Sequence, residues 1–403
     1  MSELRVAEIH NPNDQTGGIE IDNNDNVSIN GQAFPTEGSF GNRNLIINGA
    51  MQVAQRGTTS NVNGYGTVDR FQCTHSGADN EVNQDQNALA NNAGNQPVWD
   101  RGFRNSYVMT VVTTTNAADS FRRLQYYVEA QDLATSGWDY QNPNSFITIS
   151  FWVRASVSQR YFFYVASPDG TEQQYVVPIQ DAGGTTLSAN TWTQITAAIP
   201  GNPNITIDND NGIGLQLDWL GFMGTDFTDA GVGLETWSAF GAGDQRLPDM
   251  DDTWSNTVSA TFEITGVQLE VGEVATPFEH RPIGTELALC QRYCFVWRAT
   301  TNADTFCDGN VWNAAQNHVL GTMYFPVAMR VPPDLTINSP ANAMFSANSV
   351  DTDLDTLVFN RRTTTNAQFF STQTDAVYSN GDGGFYRDAS SGTPCVLTIE
   401  AEL

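Results

Sequence analysis

The chain has 403 residues, 45 acidic against 18 basic for a net charge of −27, and every basic residue is an arginine. Without lysine there is no Schiff base, no P-loop lysine and no lysine general base. So large a negative charge also repels nucleic acid and anionic membrane surfaces.

A hydrophobic content of 40%, with 11% aromatic residues, is ample for packed cores. The length fits two or three domains better than one. The opening MSELRVAEIHNPND lacks a basic-then-apolar signal pattern, and no run approaches the length of a membrane span. The expectation is synthesis in a cytoplasm, with no cleavable signal and no membrane insertion.

Residues 1–40 stand apart from the rest. GGIEIDNNDNVSINGQAFP alternates apolar and polar, with Ile19, Ile21, Val27 and Ile29 as the inward set. That pattern predicts two short strands, too few for an independent core, so the segment reads as an anchor on a partner chain or particle.

Residues 41–282 carry short β-type runs between Gly, Asn, Asp and Thr turns. In chain order they are RNLIING, NSYVMTVVT, SFRRLQYYV, SFITISFWVRAS, RYFFYVAS, QQYVVPI, NTWTQITAAIPG, GIGLQLDWLGF and ATFEITGVQLEVG. In FITISFWVRA, Ile147, Ile149, Phe151 and Val153 share a wholly apolar face. Phe146, Thr148, Ser150, Trp152 and Arg154 share the other, which marks a sheet with one face on a core. Many short strands without long helices predict an all-β fold, a jelly-roll β-sandwich. Residues 75–97 are polar and nearly patternless, and read as a long exposed loop.

Residues 283–299 interrupt the pattern with a predicted linking helix. Leu289, Tyr293 and Val296 align at helical spacing, as do Cys290, Cys294 and Trp297, with Thr285 as the cap and Pro282 ending the preceding strand. Residues 300–403 return to strand patterns in HVLGTMYFPVAMRVPPDLTIN, TLVFNRRTTT, AQFFSTQ and TPCVLTIEAEL, the first of them broken at Pro332-Pro333. They predict a second, C-terminal sandwich-like β domain.

No catalytic constellation emerges. The five cysteines form no CxxC pair and have no histidine partner nearby, which favours buried thiols over zinc. Two acidic stretches have oxygen ligands suited to Ca2+: Asp244, Asp249, Asp251 and Asp252 in the first, Asp208 and Asp210 in the second. Ordinary turn chemistry accounts for both, so no cofactor is expected beyond a possible Ca2+. Close carboxylate pairs carry no weight among so many acids, and the chain reads as a non-enzyme. Trp152 and Trp192 fall within strands and read as core. Trp99, Trp138, Trp237 and Trp254 fall in turn-rich stretches, with Tyr140 beside the second, and are the candidate glycan contacts.

Several segments resemble a known family. NLIINGAMQVAQRGTT followed by YGTVDRF resembles the opening of a β-sandwich found in tailed-bacteriophage fibre and virion structural proteins. SFWVRAS is similar to its central strand, GVQLEVGEVATPFEHRPIGTELALCQRYC to its closing strand and exit, and FPVAMRVPPDLTI to a segment that commonly follows.

The resemblance implies a non-enzymatic virion component, often a homotrimer, with sandwiches like carbohydrate-binding modules. Residues 1–40 would mount on another virion structural protein, and the body would bind a host surface glycan or protein. The leading reading places it on the tail. The alternatives are a capsid decoration, head fibre or tail adaptor of purely structural role, and a glycan depolymerase. On this reading the Pro277-Phe278 corner is mechanical: Phe278 plugs the bottom of the sandwich, Arg281 pairs with Glu279 or a neighbouring chain, and the corner holds the next domain at a fixed angle.

Overall fold

Alternation of apolar and polar side chains turns into two stacked sheets in the computed structural model. It describes residues 8–11, 14–21, 27–29, 32–34, 42–76, 79–240, 246–301, 304–373, 378–389 and 392–403. The chain divides into two compact units, Met1–Pro282 and Ile283–Leu403.

The described N-terminal residues form four short antiparallel strands, where two were expected: Glu8–Asn11, Asp14–Ile21, Val27–Ile29 and Gln32–Phe34. Ile19 pairs with Ile29 and Ile21 with Val27, so the four predicted residues share one face. Ile19, Ile21 and Ile29 are exposed there.

The sandwich has two six-stranded sheets. In the front sheet the order is Thr193–Pro200, Phe146–Ala155, Thr261–Val271, Asn105–Val111, Val82–Ala88 and Thr59–Ser60. In the back sheet it is Ser238–Ala239, Gln173–Ile179, Tyr161–Ser167, Ile213–Met223, Phe121–Glu129 and Phe71–His75. Neighbours pair antiparallel throughout. This is a jelly-roll β-sandwich. The apolar face Ile147, Ile149, Phe151 and Val153 is buried between the sheets, as the alternation predicted. Phe151 meets Phe163 at 5.5 Å between ring centroids and Trp219 edge-on at 5.7 Å. Each such ring removed from water contributes on the order of 2–3 kcal/mol.

Two segments depart from expectation. RNLIING forms no strand. Asn44 takes over the ladder's work: its Oδ1 accepts from the N–H groups of Ile46 (2.9 Å) and Leu269 (3.0 Å), and its Nδ2 donates to the Val267 carbonyl. Side-chain bonding of this kind competes with regular pairing. Residues 75–97 are not one loop. Val82–Ala88 is a strand of the front sheet and Gln96–Trp99 a short helix. Polar composition hid a strand whose outward residues are Asn and Asp.

His75 ends the back sheet's outermost strand. Its ring is buried, and among the described residues neither nitrogen has a hydrogen-bond partner. Burial first, and the Arg122 charge with it, holds its pKa below the ordinary value against the opposing pull of Glu81 and Asp79. The unfolded chain then binds the proton more readily than the folded one. Stability falls as pH drops below about 6.5, the unfolded value. Thermal melts between pH 7.5 and pH 5 should show this decline, and His75→Gln should flatten it.

The second unit begins with the helix Ile283–Gln291. It ends earlier than 283–299 predicted, and Thr285 lies inside its first turn rather than capping it. Cys294–Arg298 is instead a strand, paired antiparallel with Val396–Glu400. The aromatic and β-branched run CFVW has a C-terminal partner strand waiting, and ladder pairing outweighs local helical spacing. Cys290 and Cys294 therefore do not share a helix face.

A three-stranded sheet, Cys294–Arg298, Val396–Glu400 and Asp334–Ile337, faces one of seven strands. The seven run Val350–Asp353, Ala343–Ala347, Gly383–Asp388, Thr305–Asn313, His318–Tyr324, Asn366–Thr372 and Thr356–Arg362. Phe345, Phe369, Tyr386, Leu397 and Ile399 join the two in one core. Among the described residues, no helix is long and apolar enough to cross a membrane.

Candidate functional site

The outer face of the front sheet should be polar by alternation, yet much of it is covered. Glu263, on that face, is the covering's first anchor. One carboxylate oxygen accepts from Arg154 Nε (2.9 Å) and Nη2 (2.6 Å), and the other from Ser106 Oγ (2.5 Å) and Asn87 Nδ2 (3.2 Å). Arg154 Nη1 and Trp192 Nε1 both donate to Asn95 Oδ1, which ties the 90–104 segment to the sheet. The Arg154 guanidinium also lies 4.7 Å from the centroid of the Trp192 ring, a cation–π contact.

The second anchor is the exit segment, residues 272–281. Buried Glu270 accepts from Thr276 N (2.8 Å), Thr276 Oγ1 (2.5 Å) and Gln268 Nε2 (2.8 Å) and pairs with Arg43 Nε at 3.4 Å. Glu279 accepts from Asn42 N (2.6 Å) and Asn44 N (2.9 Å) and pairs with Arg281 at 3.4 Å. Arg281 donates in turn to the carbonyls of Ile46 and Asn44. The exit is thus clasped to the opening of the sandwich, with the expected Arg281–Glu279 pair as one link. Phe278 does not plug the sandwich bottom. It lies against Phe103, edge-on at 5.0 Å, over the outer face of the front sheet.

Between these two coverings a cleft of about 700 Å³ stays open. Trp152 forms its floor, with the Arg101 guanidinium 4.7 Å from the ring centroid. Phe103 and Phe278 wall one side, and Ser150, Gln194 and Thr196 project from neighbouring strands on the other. His280 closes an end, its Nε2 2.8 Å from the Arg101 carbonyl.

A β-bulge shapes the wall. The register shifts between Ser150 and Trp152, where the opposite strand inserts Gly266 at φ +63°. A Cβ at Gly266 would stand 2.5 Å from the Phe103 ring, so only glycine lets that ring settle.

Among the described residues, the side chains of Ser150, Gln194 and Thr196 make no hydrogen bond within the protein. Trp152 is 8% and Phe103 1% exposed, while Phe278 is half-buried; its open edge beside unspent hydroxyl and amide groups can contact the apolar face of a sugar and bond its hydroxyls. Among the described residues no carboxylate lines the cleft.

The five aromatic residues singled out from the sequence are not brought together here. Trp254 is fully buried and Trp138 is 3% exposed, both in the sandwich core, so neither ring can stack on a ligand. Tyr140 packs edge-on to Trp138. Trp237 packs on Tyr175 and donates to the Pro200 carbonyl. Trp99 carries the Arg104 guanidinium 3.8 Å from its ring centroid. These rings pin their loops to the sandwich. The signal for Trp152 was present: it shares a strand face with Thr148, Ser150 and Arg154, not with the isoleucines.

The acidic stretches are also committed elsewhere. Asp249 accepts from Thr228, Asp251 from the Arg160 N–H and Asp252 from Asn116, around a depression of about 320 Å³. Asp210 closes a turn onto the Gly212 N–H, and the Asp208 N–H donates to Asp169. Asp244 lies outside the described residues. Among the described residues no group of three or more His, Cys, Asp or Glu is placed to hold a metal ion.

Fold and site together define a two-unit β protein whose larger unit is a jelly roll bearing an aromatic, carboxylate-free cleft. No family model matches the chain, and no curated protein matches it in sequence. Solved structures similar to it include the enzymatically active domain of tailspike protein 4 from bacteriophage CBA120, at 10% identity and TM-score 0.31, over 57% of this chain and 22% of that one. A family 11 carbohydrate-binding module from Clostridium thermocellum, in complex with a β-1,3-1,4-mixed-linked tetrasaccharide, is similar at 11% identity and TM-score 0.26, over 55% of this chain and 98% of the module. The CBM22-1–GH10 modules of xylanase 10B from the same organism show 10% identity and TM-score 0.25, over 56% of this chain and 29% of theirs. The chain spans about a fifth of the tailspike domain's length. Strand pairing defines the sandwich independently of these likenesses.

Proposed function

We propose that the protein is a virion component of the tailed-phage fibre type that binds a host surface glycan in the Trp152 cleft without cleaving it. The observation carrying this reading is the cleft itself: the half-buried Phe278 ring over a Trp152 floor, hydroxyl and amide groups with no internal partner, and no carboxylate in the lining. In this reading the N-terminal sheet anchors the chain to another virion structural protein through the exposed face of Ile19, Ile21 and Ile29. The chain acts as a homotrimer on the tail.

The test is titration of the full chain with soluble host-surface polysaccharide. Gln194 and Thr196 are exposed, so Gln194→Ala with Thr196→Ala should leave the fold intact. Losing two uncharged hydrogen bonds at about 0.5–1.5 kcal/mol each predicts binding weaker by roughly 5- to 150-fold. Polysaccharide length should be unchanged after incubation. Binding that ignores both substitutions, or no binding at all, would overturn the cleft assignment. Shortened polysaccharide would overturn the non-catalytic reading.

A further inference from the structure

The strands of the second unit's seven-stranded sheet send alternate residues to opposite sides. Val319, Met323, Leu357, Ala367 and Phe369 point into the core. The residues between them build the outer face, where an apolar row crosses three strands: Leu320 opposite Phe370, and Phe370 opposite Val358. Trp312 continues the patch, its ring parallel to His318 at 6.1 Å, with His318 edge-on to Phe370 at 4.8 Å.

Four large apolar side chains of this sheet are exposed: Trp312 (59%), Tyr324 (75%), Val358 (50%) and Phe385 (41%). By register Tyr324, Val358 and Phe385 lie on this one face, and Trp312, in the bulge between Val311 and Asn313, joins it through its contact with His318. Scattered exposed apolar residues need no explanation, but concentration on one sheet face marks an interaction surface.

The charges on the face say what it meets. One row runs from Arg361 on the edge strand through Gln368 and Thr322, to Asp308 one step beyond the Gly309–Gly321 pair. Asp308 and Arg361 are exposed, and among the described residues neither forms a hydrogen bond or ion pair. They stand three strand spacings apart, about 14 Å, with only uncharged side chains between.

A chain of net charge −27 repels its own copies unless they meet on a face whose charges nearly balance. By register Asp308, Asp351 and Asp353 share this face with Arg361 and Arg387, and Arg387 is paired with Asp351, so it comes close to balance. It also has an unpaired cation at one end of a row and an unpaired anion at the other. Rotating one copy onto another about a symmetry axis brings the Arg361 end of one row to the Asp308 end of the next.

We propose that the outer face of the seven-stranded sheet is where copies of this chain assemble, with the Leu320–Phe370–Val358 row buried and Arg361 paired to Asp308 across the contact. This deepens the homo-oligomer part of the function proposed above and does not depend on the cleft.

Sedimentation velocity of the full chain tests it. The wild type should sediment as more than one chain at micromolar concentration. Val358→Asp, at an exposed position, should sediment as one chain with an unchanged circular dichroism spectrum. Asp308→Arg and Arg361→Asp should each weaken assembly at least tenfold, and the double reversal should restore it. An assembly indifferent to all these substitutions would overturn the surface and leave oligomerisation standing. A wild type of single-chain mass would overturn both. Single-chain mass combined with Val358-dependent retention of a polysaccharide would assign the face to a ligand instead. None of these results would bear on binding in the Trp152 cleft.

Discussion

Gly266→Val should cost the first unit about 2–5 kcal/mol and remove glycan binding at the same time. Two effects add. A β-branched side chain in the left-handed region that Gly266 occupies, φ +63°, is strained by roughly 1–2 kcal/mol. The new Cβ would also stand 2.5 Å from the Phe103 ring tip. Phe103 is fully buried between the sheet and the exit segment, so it cannot swing aside cheaply, and overpacking of this kind costs about 1–3 kcal/mol. Urea unfolding should show the midpoint fall with an unchanged slope. Affinity reports the same event from outside, because Phe103 and Phe278 form one wall of the cleft. Gly266→Ala meets the same contact with less strain and should fall between wild type and valine. A valine variant as stable as wild type would mean that the bulge does not hold the wall.

Much of the sandwich was legible because its strands are long and sorted by period. Phe146–Ala155 and Thr261–Val271 put an unbroken apolar face on the core, and that pattern survives folding unchanged. What escaped was pairing decided by distant partners. Cys294–Arg298 has helical spacing but joins a strand more than ninety residues away in the sequence. Thr305–Asn313 and Gly383–Asp388, rich in Gly, Asp and Asn, have weak strand propensity and are held as strands by neighbours on both sides. The cleft escaped for a related reason. Loop tryptophans invite a reading as sugar contacts, yet a loop must also be fastened, and Trp138 and Trp254 are spent on fastening. Trp152 sits where the sheet is polar and two segments only partly cover it, and no local pattern announces a partial covering.

That covering leads to the second large effect. Glu270→Ala should destabilise the first unit by about 3–5 kcal/mol, the usual cost of leaving one partner of a buried ion pair alone. Glu270 is 2% exposed and accepts three hydrogen bonds while facing Arg43. Without it, the Thr276 N–H and hydroxyl lose their acceptor. Arg43 keeps its bonds to Thr276 Oγ1 and the Pro277 carbonyl but no longer faces a charge. Glu270→Gln keeps an acceptor and loses the charge, so it should cost less than alanine. Damage should begin locally, because these bonds tie residues 272–281 to the start of the sandwich while the central strands keep their own ladders. Limited proteolysis should therefore cut the alanine variant within 272–282 before it cuts the strands. Simultaneous loss of both would show that the clasp and the sheets unfold as one unit. If the alanine variant matched wild type in both stability and cleavage, the clasp would contribute nothing to holding the exit in place. The cleft depends on the same clasp, since Thr276, Pro277 and Phe278 line it. Weakened glycan binding in Glu270→Ala, at concentrations where the sandwich is still folded, would show that the exit segment shapes the site as well as ending the domain.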